Sequence, residues 1–516
     1  MGETGPLEPI RQREDGALSR TRVSRRECLL AGGAAWASAA GFAPALAQEG
    51  ALELSPGRAH LFLDDRSISG MEGVRRRMHA PEKKGAVIRS PQSGRTLQTR
   101  SAPVWDPDLG VFRLWVLGVE RSLWRSSDGL NWSPEPEPSL KLDQVLRDGA
   151  DPEPARRYKA AITNGGFAVS PDGLQWTKLD VPPVRSSDES NFSFDPAEGR
   201  FIHSVKRGGT FGRAVAIATS RDFRTWEDLG LVFQSDEQDQ ALGRERIEAR
   251  RADATLQQTF YHDPKFYKVD VYNMGVFHYE GLHIGLPAIF HSTGPVRNYP
   301  NTDGFHVVQL TMSRDLKSWN RLGERGVFIG PSRIDSGAYD LTQILPPSAP
   351  VRPPSRPDEL WFYYTGLKYR STFHWEGTYP NGRAIPRAGY SDDVGGVCLA
   401  VLRMDGFVSL DAGEPQGIVT TPPLTVKGRT LLLNLKVQEG GEAQVEALDA
   451  GGAVLDTSQP LTGDGIRLPV VWKSGADLTR LAGRPTPPQI RFRIRLRQAS
   501  LYALRTTDQG ERAGVR

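Results

Sequence analysis

Ser126-Ser127-Asp128-Gly129-Leu130-Asn131-Trp132 is the stretch that decides the fold. The pattern returns as Ser170-Pro171-Asp172-Gly173-Leu174-Gln175-Trp176, as Ser220-Arg221-Asp222-Phe223-Arg224-Thr225-Trp226 and as Ser313-Arg314-Asp315-Leu316-Lys317-Ser318-Trp319. In each copy a serine ends a strand. The aspartate can bond back to nearby backbone amides and hold a tight turn. Glycine, where present, tolerates a left-handed conformation. Tryptophan then packs over the turn as the next strand starts. The tryptophans recur at steps of about 40–50 residues, with one longer step before the last copy, and that is the period of propeller blades.

Apolar strand patterns precede each turn and divide the middle of the chain into five blades. The first runs from Ala102 to Trp132, the second from Tyr158 to Trp176 and the third from Asn191 to Trp226. The fourth runs from Val271 to Trp319. The fifth starts near Leu341 and ends at Met404-Asp405-Gly406-Phe407, a degenerate copy of the turn. The early run His60-Leu61-Phe62-Leu63 is expected to pair into the last blade and close the ring, which removes exposed sheet edges. After Gly417 the pattern changes. Ile490, Phe492, Ile494 and Leu496 alternate with Arg491, Arg493 and Arg495, as in a strand packed on one face. The fold class expected is all-β: a five-bladed β-propeller over residues 54–412, then a β-sandwich over 418–507.

Composition sets outer bounds. The 516 residues carry a net charge of only +4, too weak a field to suggest nucleic acid as a partner. Glycine (54) and proline (38) are plentiful, as short strands and tight turns require. Ser24-Arg25-Arg26-Glu27-Cys28-Leu29-Leu30 opens an alanine-rich run that ends in Ala45-Leu46-Ala47, and residues 1–47 resemble a twin-arginine export signal. The mature protein is then expected in the periplasm or outside the cell, with no membrane insertion. Only Cys398 would remain after cleavage, so an intramolecular disulfide is excluded.

The turn repeats resemble the Asp-box of sialidases, but one residue is missing between Asp and Trp, so sialidase chemistry is not carried over. With Leu61-Phe62-Leu63-Asp64-Asp65, the Arg403-Met404-Asp405-Gly406-Phe407 segment and the sandwich behind it, the chain resembles the superfamily of glycoside hydrolase families 32, 43, 62, 68, 117 and 130. It is most similar to exported, family 32-like bacterial proteins. The resemblance covers roughly Leu54 to Leu504 and implies carboxylates on the innermost strands around the axis. The Trp-Met-Asn-Asp-Pro-like entry motif of family 32 is absent. Glycosidic cleavage needs one carboxyl to protonate the leaving oxygen and another to attack or to activate water.

Acids that begin inner strands are the catalytic candidates: Asp270, Asp188, Asp335 and Glu189. Asp65, Tyr272, His262, Arg370, His374 and Glu376 are candidate substrate contacts, since aromatic faces stack on sugars and charged groups grip hydroxyls. Converging carboxylates leave room for a calcium ion in the axial channel, and no other metal or cofactor is expected. The expected function is a glycoside hydrolase acting on a poly- or oligosaccharide. The alternatives are a non-catalytic carbohydrate-binding propeller and a protein-binding platform. The hydrolase reading predicts that Asp270→Asn abolishes turnover with stability nearly unchanged. Linkage, stereochemical course and oligomeric state stay open.

Overall fold

The computed structural model describes residues 52–89, 97–296, 301–370, 393–481 and 489–508. Residues 1–47, and with them the export signal, lie outside the described residues, as do His374 and Glu376.

Among the described residues, five antiparallel sheets form the blades. Their inner strands are Val104–Asp106, Gln144–Arg147, Ser190–Asp195, Lys268–Tyr279 and Gln343–Leu345. Blade two therefore begins earlier than its sequence suggests: Gln144–Arg147, with only two apolar residues, gives little strand signal. The longer step before the last turn holds a helix, Glu237–Ala252, started by a capping box between Asp236 and Asp239.

The ring closes with a strand other than the one expected. Glu82–Arg89 is the outer strand of blade five, with Val401 opposite Glu82 and Gly396 opposite Arg89. Its sequence, Glu-Lys-Lys-Gly-Ala-Val-Ile-Arg, suits a half-exposed outer edge. His60–Leu61 pairs instead with Leu504 and Ala503 of the last strand. The reason is two-sided burial: Leu61 and Leu63 pack into the core of blades four and five, while Phe62 packs into the core of the C-terminal domain. An outer edge would have left one of those faces wet.

The C-terminal domain is correspondingly larger than expected. It gathers eleven strands, including Glu53–Leu54, His60–Leu61, Gly70–Glu72 and Arg75–Met78 from the N-terminal side and Val408–Ala412 from the supposed propeller. Thr430–Leu448 and Gln489–Thr507 pair along most of their length, with register shifts at Asn434/Leu435 and Val437/Glu442. Both halves of that ladder contribute to one apolar core, Leu431 and Leu433 before the shifts and Val445, Ile494 and Phe492 beyond them.

The four turns are built alike. Ser126 Oγ accepts from the Gly129 amide at 2.8 Å, and Asp128 Oδ1 accepts from the amides of Leu130 and Asn131, each at 2.8 Å. Ser220, Asp222 and the amides of Phe223, Arg224 and Thr225 repeat this geometry. Hydrogen bonds led by the Thr225 amide hold the Asp222 carboxyl down at about 2. Phe223 and Leu316 adopt the left-handed conformation that Gly129 and Gly173 adopt, and both are fully buried. Turns are also held by neighbouring blades. Tyr363 Oη donates to the Gly129 carbonyl at 2.9 Å, Arg156 Nη2 to the Asp222 carbonyl at 3.1 Å, and Arg113 to the Asp172 carbonyl.

Two glycines separate the local from the inter-blade contribution. Gly129 and Gly230 have φ of 76° and 77°. A Cβ on Gly129 would lie 2.5 Å from Tyr363 Oη, whereas one on Gly230 meets nothing within 4 Å. Gly230→Ala is expected to cost only the left-handed strain, about 1–2 kcal/mol. Gly129→Ala is expected to cost about 1–3 kcal/mol more through overpacking. Equal shifts in urea midpoint for the two variants would count against this inter-blade contact.

Candidate functional site

Residues that open the inner strands meet at the propeller axis. Arg100, in the loop before Val104–Asp106, faces Glu189, which immediately precedes Ser190–Asp195. Its Nη2 donates to Glu189 Oε1 at 2.5 Å, and its Nε donates to Oε2. Both side chains are buried. Burial opposes the charge on Arg100, but the paired Glu189 more than offsets it and raises the guanidinium pKa. The Arg100 carbonyl accepts from Ser348 Oγ at 2.7 Å and from Asn191 Nδ2 at 3.3 Å. Asn273 Nδ2 donates to Asn191 Oδ1 at 3.0 Å. These bonds join blades one, three, four and five across the axis.

A calcium ion does not fit this arrangement. Both Glu189 oxygens are taken by Arg100, and among the described residues no group of three or more His, Cys, Asp and Glu side chains could hold a metal.

Beside the axis lies an open cavity of about 740 Å³ between blades three and four. Asp188 and Asp270 both line it, with Lys206, Arg213, Lys268 and Phe266. Asp188 and Glu189 are adjacent in sequence yet serve different places, one in the cavity and one on the axis. Lys206 Nζ lies 2.6 Å from Asp188 Oδ1 and 3.6 Å from the centroid of the Tyr272 ring. Burial, countered in part by Glu189 and Asp188, brings its pKa down to about 8.

Asp270 lies three residues into the inner strand of blade four, opposite Phe290. Its side chain is buried and meets the hairpin that links Arg200–Gly209 to Gly212–Ser220. Arg213 Nη1 reaches Asp270 Oδ1 at 3.1 Å and Oδ2 at 3.0 Å, and the Arg213 amide donates to Oδ2 at 3.3 Å. Gly212 makes this approach feasible: at φ 118°, any Cβ there would sit 2.7 Å from Asp270 Oδ2.

The remaining sequence candidates scatter. Asp335 is exposed on the short turn Ile334–Ser336 and is not part of the cavity lining. The acid that does enter the fold nearby is Asp340, buried against Tyr364 and Lys83. Asp65 stands in the C-terminal domain, 87% exposed and paired with Arg76 at 2.6 Å. His262 is hydrogen-bonded to Thr259, and burial brings it down to about 4. Tyr272 lies beneath Lys206. Arg370 stacks on Phe290 at 4.1 Å and donates to the carbonyl of Thr302, a residue of the cavity wall.

Arg100, Asp143, Lys206, Arg213, Lys268 and Phe266 escaped sequence reasoning. Asp143 heads the inner strand of blade two, where the Thr163 amide bonds its Oδ2 at 2.6 Å, and it was missed because that strand was missed. For the cations a signal existed: Lys206-Arg207-Gly208-Gly209-Thr210-Phe211-Gly212-Arg213 is a basic, glycine-rich hairpin between two apolar strands.

No family model matches the chain, and no curated protein matches it. Solved structures do. An N-acetylgalactosamine deacetylase from F. plautii is 14% identical, covering 69% of this chain and 97% of its own, with a TM-score of 0.34. A Bombyx mori GH32 beta-fructofuranosidase is 12% identical, covering 83% and 94%, with a TM-score of 0.33. An endo-arabinase from Bacteroides thetaiotaomicron is 12% identical, covering 55% and 93%, with a TM-score of 0.31. The chemistry of the cavity therefore rests on its own residues.

Lys206 gives the cavity a pH signature. Its folded pKa of about 8 lies below the ordinary 10.5, so between those values the unfolded chain binds more protons than the folded one. Stability contributed at this position must then rise as pH rises from about 8 to 10.5. The unfolding free energy of wild type minus that of Lys206→Met is expected to increase across this window. A flat difference would place Lys206 in contact with water.

Proposed function

We propose that the protein binds carbohydrate in the cavity between blades three and four and hydrolyses a glycosidic bond there. One observation carries the reading: carboxylates from two adjacent blades, Asp188 and Asp270, line a single open cavity with an exposed aromatic, Phe266, on its wall. Aromatic faces stack on the apolar faces of sugars, and paired carboxyls are what glycosidic cleavage uses. Residues 1–47, as an export signal, would deliver the protein to where polysaccharides are found. In this reading Asp188, beside Lys206 and 62% exposed, is the base or nucleophile. Asp270, paired with Arg213 on the cavity wall, is the second carboxyl.

A second reading has its own support. Both cavity carboxylates are already ion-paired, Asp188 with Lys206 and Asp270 with Arg213, as in a site that binds sugar without cleaving it.

Asp188→Asn separates the two. The Asp188 side chain is mostly exposed but pairs with the buried Lys206, so the variant is expected to lose about 1–3 kcal/mol of stability. Release of sugar from a polysaccharide and aryl-glycoside panel is expected to fall about 10²–10⁴-fold. Unaltered turnover would remove Asp188 from the mechanism, and binding without turnover in wild type would favour the second reading. Asp270→Asn carries a similar cost. It leaves Arg213 without its counter-charge, and the expectation of unchanged stability gives way to a loss of about 1–3 kcal/mol. Phe266→Ala is expected to weaken glycan affinity about tenfold, near 1.4 kcal/mol, by titration calorimetry.

A further inference from the structure

Charges around the cavity do not balance. Three cations crowd the Tyr272 ring: Lys206 Nζ at 3.6 Å, Arg213 Cζ at 5.3 Å and Arg370 Cζ at 5.6 Å from its centroid. Lys206 is spoken for by Asp188, and Arg213 by Asp270. Arg207, also on the wall, pairs with Asp228, and Arg100 with Glu189. Asp303, the remaining buried acid nearby, takes its hydrogen bonds from the amides of Phe260, Tyr261 and Gly304. Arg370 donates to the Thr302 carbonyl, and among the described residues Lys268 has no ion-pair partner. Lys268 is exposed, lines the cavity and lies two residues from Phe266.

Like charges held this close in a partly dehydrated place repel one another, and an anion from outside relieves the repulsion. Phe266 and Lys268 together offer a flat apolar face beside a free ammonium, the two contacts that a sugar ring with an acidic substituent would satisfy at once.

We infer that the sugar bound in this cavity carries an anionic group, a carboxylate as in a uronic acid or a sulfate ester, held by Lys268 beside Arg213. This rests on the carbohydrate reading above and narrows it.

The test is a glycan array of the full chain that holds neutral, uronate-bearing and sulfate-bearing oligosaccharides, with titration calorimetry on the glycans bound. Binding is expected to concentrate on the acidic glycans, and which acidic set responds separates carboxylate from sulfate. Lys268→Gln is expected to weaken that binding about tenfold and Lys268→Glu further, with the difference shrinking as salt is raised. Binding confined to neutral glycans, or acidic binding indifferent to Lys268→Glu, overturns the inference and leaves the carbohydrate reading intact. Binding to none of the glycans overturns both.

Discussion

The hydrogen bonds that cross the propeller axis are the constraint on which the rest depends. Arg100, Asn191, Asn273 and Ser348 come from four blades and are buried together, linked by hydrogen bonds. Buried polar groups without partners cost on the order of 1–3 kcal/mol each. The ring is therefore held at a fixed diameter from within as well as from its apolar inter-blade cores. Because Glu189 is locked to Arg100 at that centre, its neighbour Asp188 is delivered to the cavity rather than to the axis. The cavity inherits its geometry from the plug.

Electrostatics then gives the cavity its character. A purely apolar cleft would bind by area alone. This one packs cations against the Tyr272 ring and meets them with carboxylates from adjacent blades. Each ion pair costs dehydration, and such arrangements contribute little net stability compared with apolar packing.

The repeat Ser-x-Asp-x-x-x-Trp is legible because its physics is local: a side chain, three amides and a turn fit within seven residues. Apolar runs ahead of each turn made most blade strands legible for the same reason. What could not be read was pairing between distant segments. His60–Leu63 and Glu82–Arg89 both look like short strands, and only three-dimensional burial on both faces of Leu61, Phe62 and Leu63 decides which closes the ring. The site shows the same division. Asp188, Glu189 and Asp270 were found by position ahead of, or early in, inner strands. Asp335 met the same rule but falls on an exposed turn. Arg100 and the cavity cations follow no such rule, since Arg100 lies in a loop ahead of its strand and Lys206 and Arg213 flank the turn between two apolar strands.

The seam of the ring has a consequence for how the molecule is made. Glu82–Arg89 is synthesised before any blade, yet its partner Gly395–Arg403 emerges only after all the others. During synthesis the early strand must wait as a lone edge, and its Glu82, Lys83 and Lys84 discourage adventitious pairing meanwhile. Locking the circle is thus a late, long-range event of the kind that slows folding. A chain shortened at its beginning would lose the fastener of its final blade rather than a dispensable tail.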